Sequence, residues 1–167
     1  MYRMDVSAPS NITVVDRSGA IVKIADFLAT ADLIINGFLQ DTDRPAMFLK
    51  QGELPKLKKD SLIIDISCDA GMGFYFSKPT SFSKPVFNMG QVAYYAVDHT
   101  PSYLWRSASW EISKALCPFL ATVAGNPSQW VKCPTISRAI DIRDGVIINK
   151  KILTFQKRKP EYPHNAV

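Results

Sequence analysis

Three short groups of polar or small residues hold the side chains of this sequence that are best suited to chemistry. Each group directly follows an apolar run: Asn36-Gly37, Ser67-Cys68-Asp69 and Asp98-His99-Thr100. A carboxylate such as Asp69 can stabilise a cationic group, and an imidazole such as His99 exchanges a proton near neutral pH. A glycine such as Gly37 lets backbone approach a ligand closely. The sequence therefore predicts one polar binding site, provided that the fold brings the three groups together.

These side chains also have structural interpretations. Asp69 could bond to the backbone of its own turn. Cys68 has no base near it in the sequence, and we interpret it as a small buried residue rather than a nucleophile. Asp65 lies inside an apolar run, where a carboxylate needs partners, so we assign it a structural hydrogen-bonding role. The three cysteines are widely spaced and fit neither a disulfide framework nor a metal site, so no metal is expected.

The apolar runs predict the strands that position these groups. Residues 33–37, 61–67 and 92–99 read as buried strands, and a continuous apolar run such as 61–67 is expected where helices cover both faces of a sheet. Shorter strands are predicted at 12–15 and 20–24, and short helices within 24–31 and 51–57. Alternating strands and helices indicate an α/β fold with a largely parallel sheet, in which ligands bind beyond the carboxyl ends of the strands.

A long helix is predicted over residues 102–124. Thr100 is placed as its N-cap and Pro101 at its first position, while Gly125 follows its end. Beyond it, the pattern predicts a helix over 135–144 ended by Gly145, and then an extended pair of segments turning at 149–150. The aromatic residues near the start of the long helix (Tyr103, Trp105 and Trp110) are interpreted as packing residues.

Charge and composition narrow the class of protein. The 167 residues carry 20 basic and 15 acidic side chains, and 47% are hydrophobic, as in a folded globular chain. Residues 132–167 hold the whole positive excess, but this tail has no nucleic-acid-binding motif, and we expect no nucleic-acid partner. No apolar run is long enough for a membrane span and the first residues do not resemble a signal peptide, so we expect no membrane association and a cytoplasmic location.

The same strand ends carry a resemblance to a known family. The segments are ADLIINGFLQDTDRPAMF (31–48), SLIIDISCDAGMGF (61–74), KPTSFSKPVF (78–87), YYAVDHTPSYLW (94–105) and DGVIINKKILTFQKRKPEYPH (144–164). They resemble carboxyethylornithine synthases, which belong to the alanine dehydrogenase and pyridine nucleotide transhydrogenase superfamily. The similarity extends in order from about residue 25 onward.

The resemblance implies an NAD(P)H-dependent oxidoreductase acting on a CH–NH bond. The implied reaction is the reductive condensation of pyruvate with the side-chain amine of ornithine or lysine. Alanine dehydrogenase chemistry is the most closely related reaction. Its substrates are a 2-oxo acid and an amino acid, and its cofactor is NADPH or NADH. Asp69 is the candidate catalytic residue, beside the nicotinamide ribose. The candidate cofactor-binding residues are Asn36, Gly37, Ser67, Cys68, Asp69, Asp98, His99 and Thr100.

The resemblance also implies a domain layout. Residues 1–100 correspond to a partial NAD(P)-binding domain, a Rossmann-like, doubly wound sheet that lacks its first strand. Residues 101–125 form a long helix that returns to a substrate domain, and the basic residues 126–167 are a C-terminal extension of that domain. The catalytic lysine and histidine of the family have no counterpart here, so His99 is not expected to be the proton-transfer catalyst. The other histidine, His164, lies in the basic tail and is expected to be solvated.

One part of the family pattern is missing from the sequence. The eight glycines include none at the GxGxxG spacing, whose backbone N–H groups hold the cofactor pyrophosphate. The chain thus corresponds to a C-terminal fragment of the enzyme.

Loss of a central first strand would expose two backbone ladders and about five aliphatic side chains. Burial of these side chains would otherwise contribute roughly 8–15 kcal/mol to the free energy of folding. We therefore expect marginal stability alone, and either a homo-oligomer or a complementing N-terminal chain. The alternative is a non-catalytic remnant or interaction module.

Overall fold

The computed structural model describes residues 2–166, which fall into two compact units divided between Thr100 and Pro101. No helix among the described residues is long and apolar enough to cross a membrane. The boundary between the units follows directly after the third group of candidate site residues.

A small antiparallel sheet begins the first unit. Its strands are β1 (Arg3–Asp5), β2 (Thr13–Val15) and β3 (Ile21–Lys23), in that spatial order. Asp16 shapes the turn between the last two, because its Oδ1 accepts the backbone N–H groups of Ser18 and Ala20 at 2.8 and 2.9 Å. The helix α1 (Ile24–Leu28) follows directly. The strands and the helix predicted here are confirmed, but these strands form a sheet of their own.

The main sheet of the first unit has four strands. In spatial order they are β4 (Leu33–Asn36), β6 (Leu62–Asp65), β9 (Val92–Tyr95) and β8 (Val86–Met89). The first three are parallel, and β8 runs antiparallel to β9. The three strands predicted ahead of the candidate site are therefore confirmed as neighbours, and their carboxyl ends meet at one edge of the sheet.

The connection after β4 is built from short elements. Strand β5 (Met47–Leu49) pairs in parallel with β7 (Gly73–Phe74). The helix predicted over 51–57 is only a 3-10 turn at Leu54–Lys56, which contains Pro55. Because proline has no N–H and clashes with the preceding turn, a longer α-helix is unfavourable there.

The core of this unit lies against one face of the main sheet. Ile34, Ile63 and Tyr94 project from three adjacent strands into it and are buried. Aromatic rings of the intervening segments pack on them; ring centroids are 5.3 Å apart for Phe76 and Tyr94, and 6.1 Å apart for Phe74 and Tyr94. Edge-on contacts of this kind add to the area that the rings bury.

The prediction that helices cover both faces of the sheet is wrong for this unit. Leu33 and Ile35 of β4 are 50% and 60% exposed on the face opposite the core, and Leu62 and Ile64 of β6 are only partly buried. The segments that join β4, β6 and β9 contain a 3-10 turn and two-to-four-residue strands, so within residues 2–100 they supply no long helix for the second face.

The expectation of two exposed backbone ladders in one sheet is met only in part. In the main sheet β4 is the edge strand and is bonded on one side to β6. Strands β2 and β3, which precede it in the chain, pair with each other instead of lying across a gap from β4. At this edge the sheet therefore leaves one ladder open, that of β4.

The second unit begins with the long helix α2 (Trp105–Ala124), which contains Pro118 and ends before Gly125 as predicted. Its predicted N-cap is wrong. Thr100 opens a 3-10 turn, Thr100–Leu104, and the residue that precedes α2 is Leu104, which makes no side-chain capping bond. The Thr100 hydroxyl instead donates to the carbonyl of Val97 at 2.7 Å, which fixes the end of the preceding strand.

Short elements complete the second unit: α3 (Pro127–Trp130), α4 (Pro134–Arg138), β10 (Ile142–Arg143), β11 (Val146–Ile147) and α5 (Lys150–Phe155). Of the helix predicted over 135–144, only the first part is helical, as α4. Asp144 and Gly145, at φ 50° and 81°, instead form the turn of a hairpin between β10 and β11. Asp-Gly is favoured in such turns because both residues need positive φ.

The prediction of two extended segments that turn at 149–150 is also wrong for the second segment, which forms the helix α5. Asn149 is the N-cap of α5, and its Oδ1 accepts the N–H of Lys151 at 3.0 Å. This capping bond satisfies a backbone donor of the first turn, which favours a helix start over a strand.

Candidate functional site

A buried carboxylate joins the three strands beneath their carboxyl ends. Asp65, at the end of β6, is 1% exposed. Its Oδ1 accepts the Asn36 amide of β4 at 2.9 Å, and its Oδ2 accepts the Tyr94 hydroxyl of β9 at 2.6 Å. It also accepts the backbone N–H of Cys68 at 3.1 Å. The structural role predicted for Asp65 is confirmed, and the role extends across all three strands.

The turn after β4 is held by two further hydrogen bonds. Asn36 Oδ1 accepts the N–H of Phe38 at 3.1 Å, and the Ser67 hydroxyl donates to the Phe38 carbonyl at 2.5 Å. A Cβ added to Gly37 would meet no atom within 4 Å. The backbone at Gly37 therefore faces open space, where a ligand could approach it closely.

The turn after β6 places Asp69 at the surface. The Asp69 carboxylate is exposed and has no hydrogen-bond or ion-pair partner among the described residues. Its carbonyl accepts the N–H of Met72 at 3.2 Å and the Ser77 hydroxyl at 2.9 Å. The backbone of the turn is thus secured without the carboxylate, which leaves both carboxylate oxygens able to accept bonds from a ligand.

Two residues at adjacent strand ends have left-handed backbone. Cys68 has φ 44° and His99 has φ 61°. Such conformations cost side chains with a Cβ on the order of 1–3 kcal/mol and are concentrated at functional sites. Asp98 lies between the two: its Oδ1 is 2.5 Å from Nδ1 of the exposed His99 and 3.8 Å from the Cys68 sulfur.

The environment of Cys68 disfavours its thiolate. Partial burial raises the pKa of the Cys68 thiol, and the negative charges of Asp98, Asp65 and Asp69 raise this pKa further. A thiol whose pKa is raised is a poor nucleophile at neutral pH, because the thiolate is the reactive form. The geometry therefore agrees with the interpretation of Cys68 as a non-nucleophilic residue.

The eight candidate residues thus lie at neighbouring strand ends, and all of them except Cys68 form two layers. Asn36, Ser67 and Thr100 use their side chains to hold the turns. The backbone at Gly37 and the side chains of Asp69, Asp98 and His99 are exposed above them. Among residues 2–166, no group of three or more His, Cys, Asp or Glu side chains is arranged to hold a metal ion.

Some residues that shape the site were not identified from the sequence. Tyr94 was only one aromatic in an apolar run, yet its hydroxyl bonds to Asp65. Ser77 was one of several loop serines, yet it is buried and bonds to the carbonyls of Asp69 and Met72. Gly73 comes so close to neighbours that a Cβ there would be 3.3 Å from Asn36 Nδ2 and from a ring carbon of Phe48. The GxG pattern at 71–73 was a signal for the last of these.

The other histidine differs from expectation. His164 of the basic tail, which we expected to be solvated from its position among charged residues, is 3% exposed. Its Nε2 accepts the N–H of Ile147 at 3.1 Å, and its Nδ1 lies 3.1 Å from the carbonyl of Lys159. It holds the chain beyond α5 against β11 and lies outside the candidate site.

The sheet order and the polar strand ends define a Rossmann-like nucleotide-binding fold. The structure is similar to that of an L-alanine dehydrogenase, with a TM-score of 0.60 and 17% identity, over 79% of this chain and 37% of the other. Residues 5–150 match the family "Alanine dehydrogenase/PNT, C-terminal domain", and the chain belongs to this family. The expectation of NADPH or NADH as the cofactor is consistent with the family.

Curated relatives bear two kinds of name. The chain is 41% identical over 86 residues to an N(5)-(carboxyethyl)ornithine synthase of Lactococcus lactis subsp. lactis, which is 51% of this chain and 27% of that protein. It is 33% identical over 93 residues to the one from Clostridium botulinum, 56% of this chain and 29% of the other. It is 24% identical over 155 residues to alanine dehydrogenase 1 of Staphylococcus aureus, 92% of this chain and 41% of the other. The chain thus spans well under half the length of these relatives.

Proposed function

We propose that the strand ends of residues 1–100 hold the nicotinamide end of NAD(P)H for an oxidoreductase. The observation that carries the proposal is the adjacency of Gly37, Asp69 and His99 at the carboxyl ends of three parallel strands, where Gly37 and the Asp69 carboxylate are open to a ligand. Ligands of open α/β sheets bind at this edge. The bound cofactor supplies the hydride, and the protein supplies its orientation.

The residues can be given roles that follow from their geometry. The Asp69 carboxylate, with both oxygens unengaged, accepts hydrogen bonds from the nicotinamide ribose and stabilises a cationic imine or amine. The open backbone at Gly37 lets the cofactor lie close to β4. Asp98 and His99 line the opposite side, over β9. Asn36, Ser67, Cys68 and Thr100 contribute through the turns that they hold.

The reaction that we propose for the whole enzyme is the reductive condensation of pyruvate with the side-chain amine of ornithine or lysine. The relatives at 33% and 41% identity are carboxyethylornithine synthases, whereas the alanine dehydrogenase of Staphylococcus aureus is 24% identical. Alanine dehydrogenase-like chemistry is the second form of the same proposal. In both, a 2-oxo acid and an amine or ammonia condense to an imine with loss of water, and NAD(P)H would supply the hydride that, with one proton, reduces the C=N bond.

Domain roles follow from the same proposal. Residues 1–100 act as part of the NAD(P)-binding domain, 101–125 as the returning helix and 126–167 as an extension of the substrate domain. A cytoplasmic location suits a reaction that consumes NAD(P)H. The catalytic lysine and histidine would come from another segment or a complementing chain.

Titration with NADH and NADPH, followed by nicotinamide fluorescence, tests cofactor binding by the full chain. Because the glycine-rich turn is missing from this sequence, we expect a weak dissociation constant of about 0.1–1 mM, or roughly −5.5 to −4 kcal/mol. Asp69→Asn should weaken binding about tenfold, through loss of charged hydrogen-bond acceptors. Asp32→Asn is the matched control: it removes the same charge just before the other end of β4, where Asp32 pairs with Lys58.

Two results would overturn the proposal. One is the absence of any cofactor-dependent signal at several millimolar, which would favour a non-catalytic remnant or interaction module. The other is an equal loss of affinity in both variants, which would place the cofactor away from Asp69.

A further inference from the structure

A groove in the second unit lies between helix α3 and the hairpin of β10 and β11, and we call it the α3 groove. Its volume is about 500 Å³, within the range of roughly 300–1,000 Å³ that is typical of ligand pockets. Its lining includes Trp130, Val131, Ile140, Ile142, Arg143 and Asp144. Both walls come from segments that are close together in the sequence, so the groove is a local feature of this unit.

Hydrogen bonds hold the two walls of the α3 groove. The Trp130 indole Nε1–H donates to the carbonyl of Thr122 at 3.0 Å, which fixes the ring on one side. On the other side β10 pairs with β11, and the N–H of Ile148 donates to the carbonyl of Asp141 at 2.9 Å. Because both walls are held in this way, a ligand would enter a largely preformed site, which lowers the entropy cost of binding.

The surface of the α3 groove between its charged residues is apolar. Val131 and Ile142 are 56% and 57% exposed, and the side chains of Trp130 and Ile140 are partly buried beside them. Aliphatic and aromatic surface of this kind is stabilised when an apolar group displaces water from it, and an aromatic ring can also make edge-on contacts. The groove therefore favours a ligand with an aromatic or branched apolar part.

Two side chains of opposite charge line the same groove. Arg143 and Asp144 are exposed, and among residues 2–166 neither side chain has a hydrogen-bond or ion-pair partner, although the two are neighbours in the chain. A guanidinium group binds a carboxylate through two parallel hydrogen bonds, and a carboxylate accepts hydrogen bonds from an ammonium group. A ligand that carries both a carboxylate and an ammonium group would match both charges, whereas a singly charged ligand would match only one.

We propose that the α3 groove binds a free α-amino acid with an aromatic or branched apolar side chain. Its carboxylate pairs with Arg143, its ammonium group pairs with Asp144, and its side chain covers Trp130 and Ile142. An internal segment of a polypeptide has neither of these charges on its backbone, so the charge pair selects a free amino acid. The inference does not depend on the proposed function, because the candidate cofactor site is built from residues 1–100.

Titration of the isotope-labelled full chain with L-phenylalanine, followed by two-dimensional NMR, tests the site. We expect a dissociation constant of about 0.1–1 mM, since the ligand is small, with shift changes concentrated at the amides of 127–131 and 140–144. The amide of Ile63, in the core of the first unit, is the internal control. L-Alanine carries the same charged groups but leaves the apolar walls uncovered, so it should bind at least about tenfold more weakly.

Variants assign the two charges separately. Arg143→Gln should weaken binding of L-phenylalanine about fivefold. Arg138→Gln is the matched control: it removes the same charge from α4, where the guanidinium bonds to the carbonyl of Pro134 at 3.1 Å, and it should change the affinity little. Asp144→Asn keeps the hairpin turn, since Asn-Gly is also favoured there. It should weaken L-phenylalanine about fivefold but not hydrocinnamate, which is the same molecule without its ammonium group. The spectrum of each free variant verifies that it is folded.

The results divide clearly between support and rejection. The shift pattern, the preference over L-alanine and the two variant effects support the site. Unchanged signals at 127–131 and 140–144 reject it, and so does equal binding of L-alanine, because the apolar walls then contribute nothing. Equal losses in Arg143→Gln and Arg138→Gln also reject it, since they indicate a diffuse effect of charge. An equal effect of Asp144→Asn on both ligands contradicts the ammonium contact and with it the proposed class of ligand.

Discussion

The Tyr94 hydroxyl donates a hydrogen bond of 2.6 Å to Oδ2 of Asp65, and both residues lie in the interior of the sheet. Burial, together with this bond and the charge of Asp65, raises the pKa of Tyr94 well above its usual value. The phenol therefore stays protonated and remains a donor at all ordinary pH values. The carboxylate in turn joins three strands, since it also accepts from Asn36 and from the backbone of Cys68.

Removal of the Tyr94 hydroxyl should destabilise the first unit. In Tyr94→Phe a buried carboxylate oxygen loses its donor, and we expect the free energy of unfolding to fall by about 1–3 kcal/mol. Urea unfolding followed by far-UV circular dichroism measures the change; all three tryptophans lie in residues 101–167, so their fluorescence reports on the other unit. Tyr95→Phe, which removes a partly buried hydroxyl 3.1 Å from Thr100, is the control. Equal effects of both variants would contradict a special role for Asp65.

Alanine at Gly73 should cost more than alanine at Gly71. Both glycines have positive φ, at 77° and 71°, so each substitution carries about 1–2 kcal/mol of backbone strain. A Cβ at Gly73 would also press on Asn36 and Phe48 at 3.3 Å, whereas one at Gly71 meets nothing within 4 Å. We expect Gly73→Ala to destabilise the chain by about 1–3 kcal/mol more than Gly71→Ala. Thermal and urea unfolding of the two variants measure the difference, and similar values would refute the close approach.

The thiol of Cys68 should react slowly with alkylating reagents. Its pKa is raised by burial and by neighbouring carboxylates, so its thiolate fraction at pH 8 is below that of an ordinary thiol. Alkylation by iodoacetamide, followed residue by residue with mass spectrometry, should label the exposed Cys117 first. The pH midpoint for Cys68 should lie above the ordinary value.

Asp98→Asn should lower this midpoint for Cys68 in part, because it removes one negative charge but leaves the burial that contributes most. Cys117 in the same sample is the control and should not change. A Cys68 midpoint that does not move would show that Asp98 does not face the thiol.

His164 should stabilise the end of the second unit. His164→Ala removes the acceptor for the Ile147 N–H and a partner of the Lys159 carbonyl. We expect exchange of the Ile147 amide to accelerate about tenfold or more, since a net hydrogen bond is worth roughly 1 kcal/mol and a cavity adds to the loss. His164→Gln keeps a long side chain with an acceptor and should show a smaller effect. If exchange of the Ile147 amide is unchanged in His164→Ala, then His164 is solvated, as expected from the sequence.

The strands and the edge of the sheet that carries the site could be predicted because they depend on local pattern. Apolar runs ending in Gly37, Asp69 and His99 are short-range signals, and parallel pairing brings their ends together without further information. The roles of Tyr94 and Ser77 could not be predicted, and for Asp65 only the need for partners could be predicted and not their identity, since these side chains bond to groups 5 to 29 residues away. The burial of His164 could not be predicted for the same reason. It depends on contact with the hairpin of β10 and β11, and the sequence pattern of 135–144 predicted a helix there instead.

Coverage of the sheet was misjudged for a different reason. Residues 61–67 are apolar on both faces, which is typical of a strand between two layers, and the composition of a strand does not tell which element covers it. Leu33 and Ile35 are large aliphatic residues and are nevertheless exposed on one face of the sheet.

The separation of the site into a buried and an exposed layer has a consequence for its adaptability. Gly37 and Asp69 can be exchanged in a mutant library with little penalty to folding, since the turns that carry them are secured by other groups. The ligand accepted at this edge of the sheet can therefore change by substitution at these two positions, while the turns that carry them keep their structure.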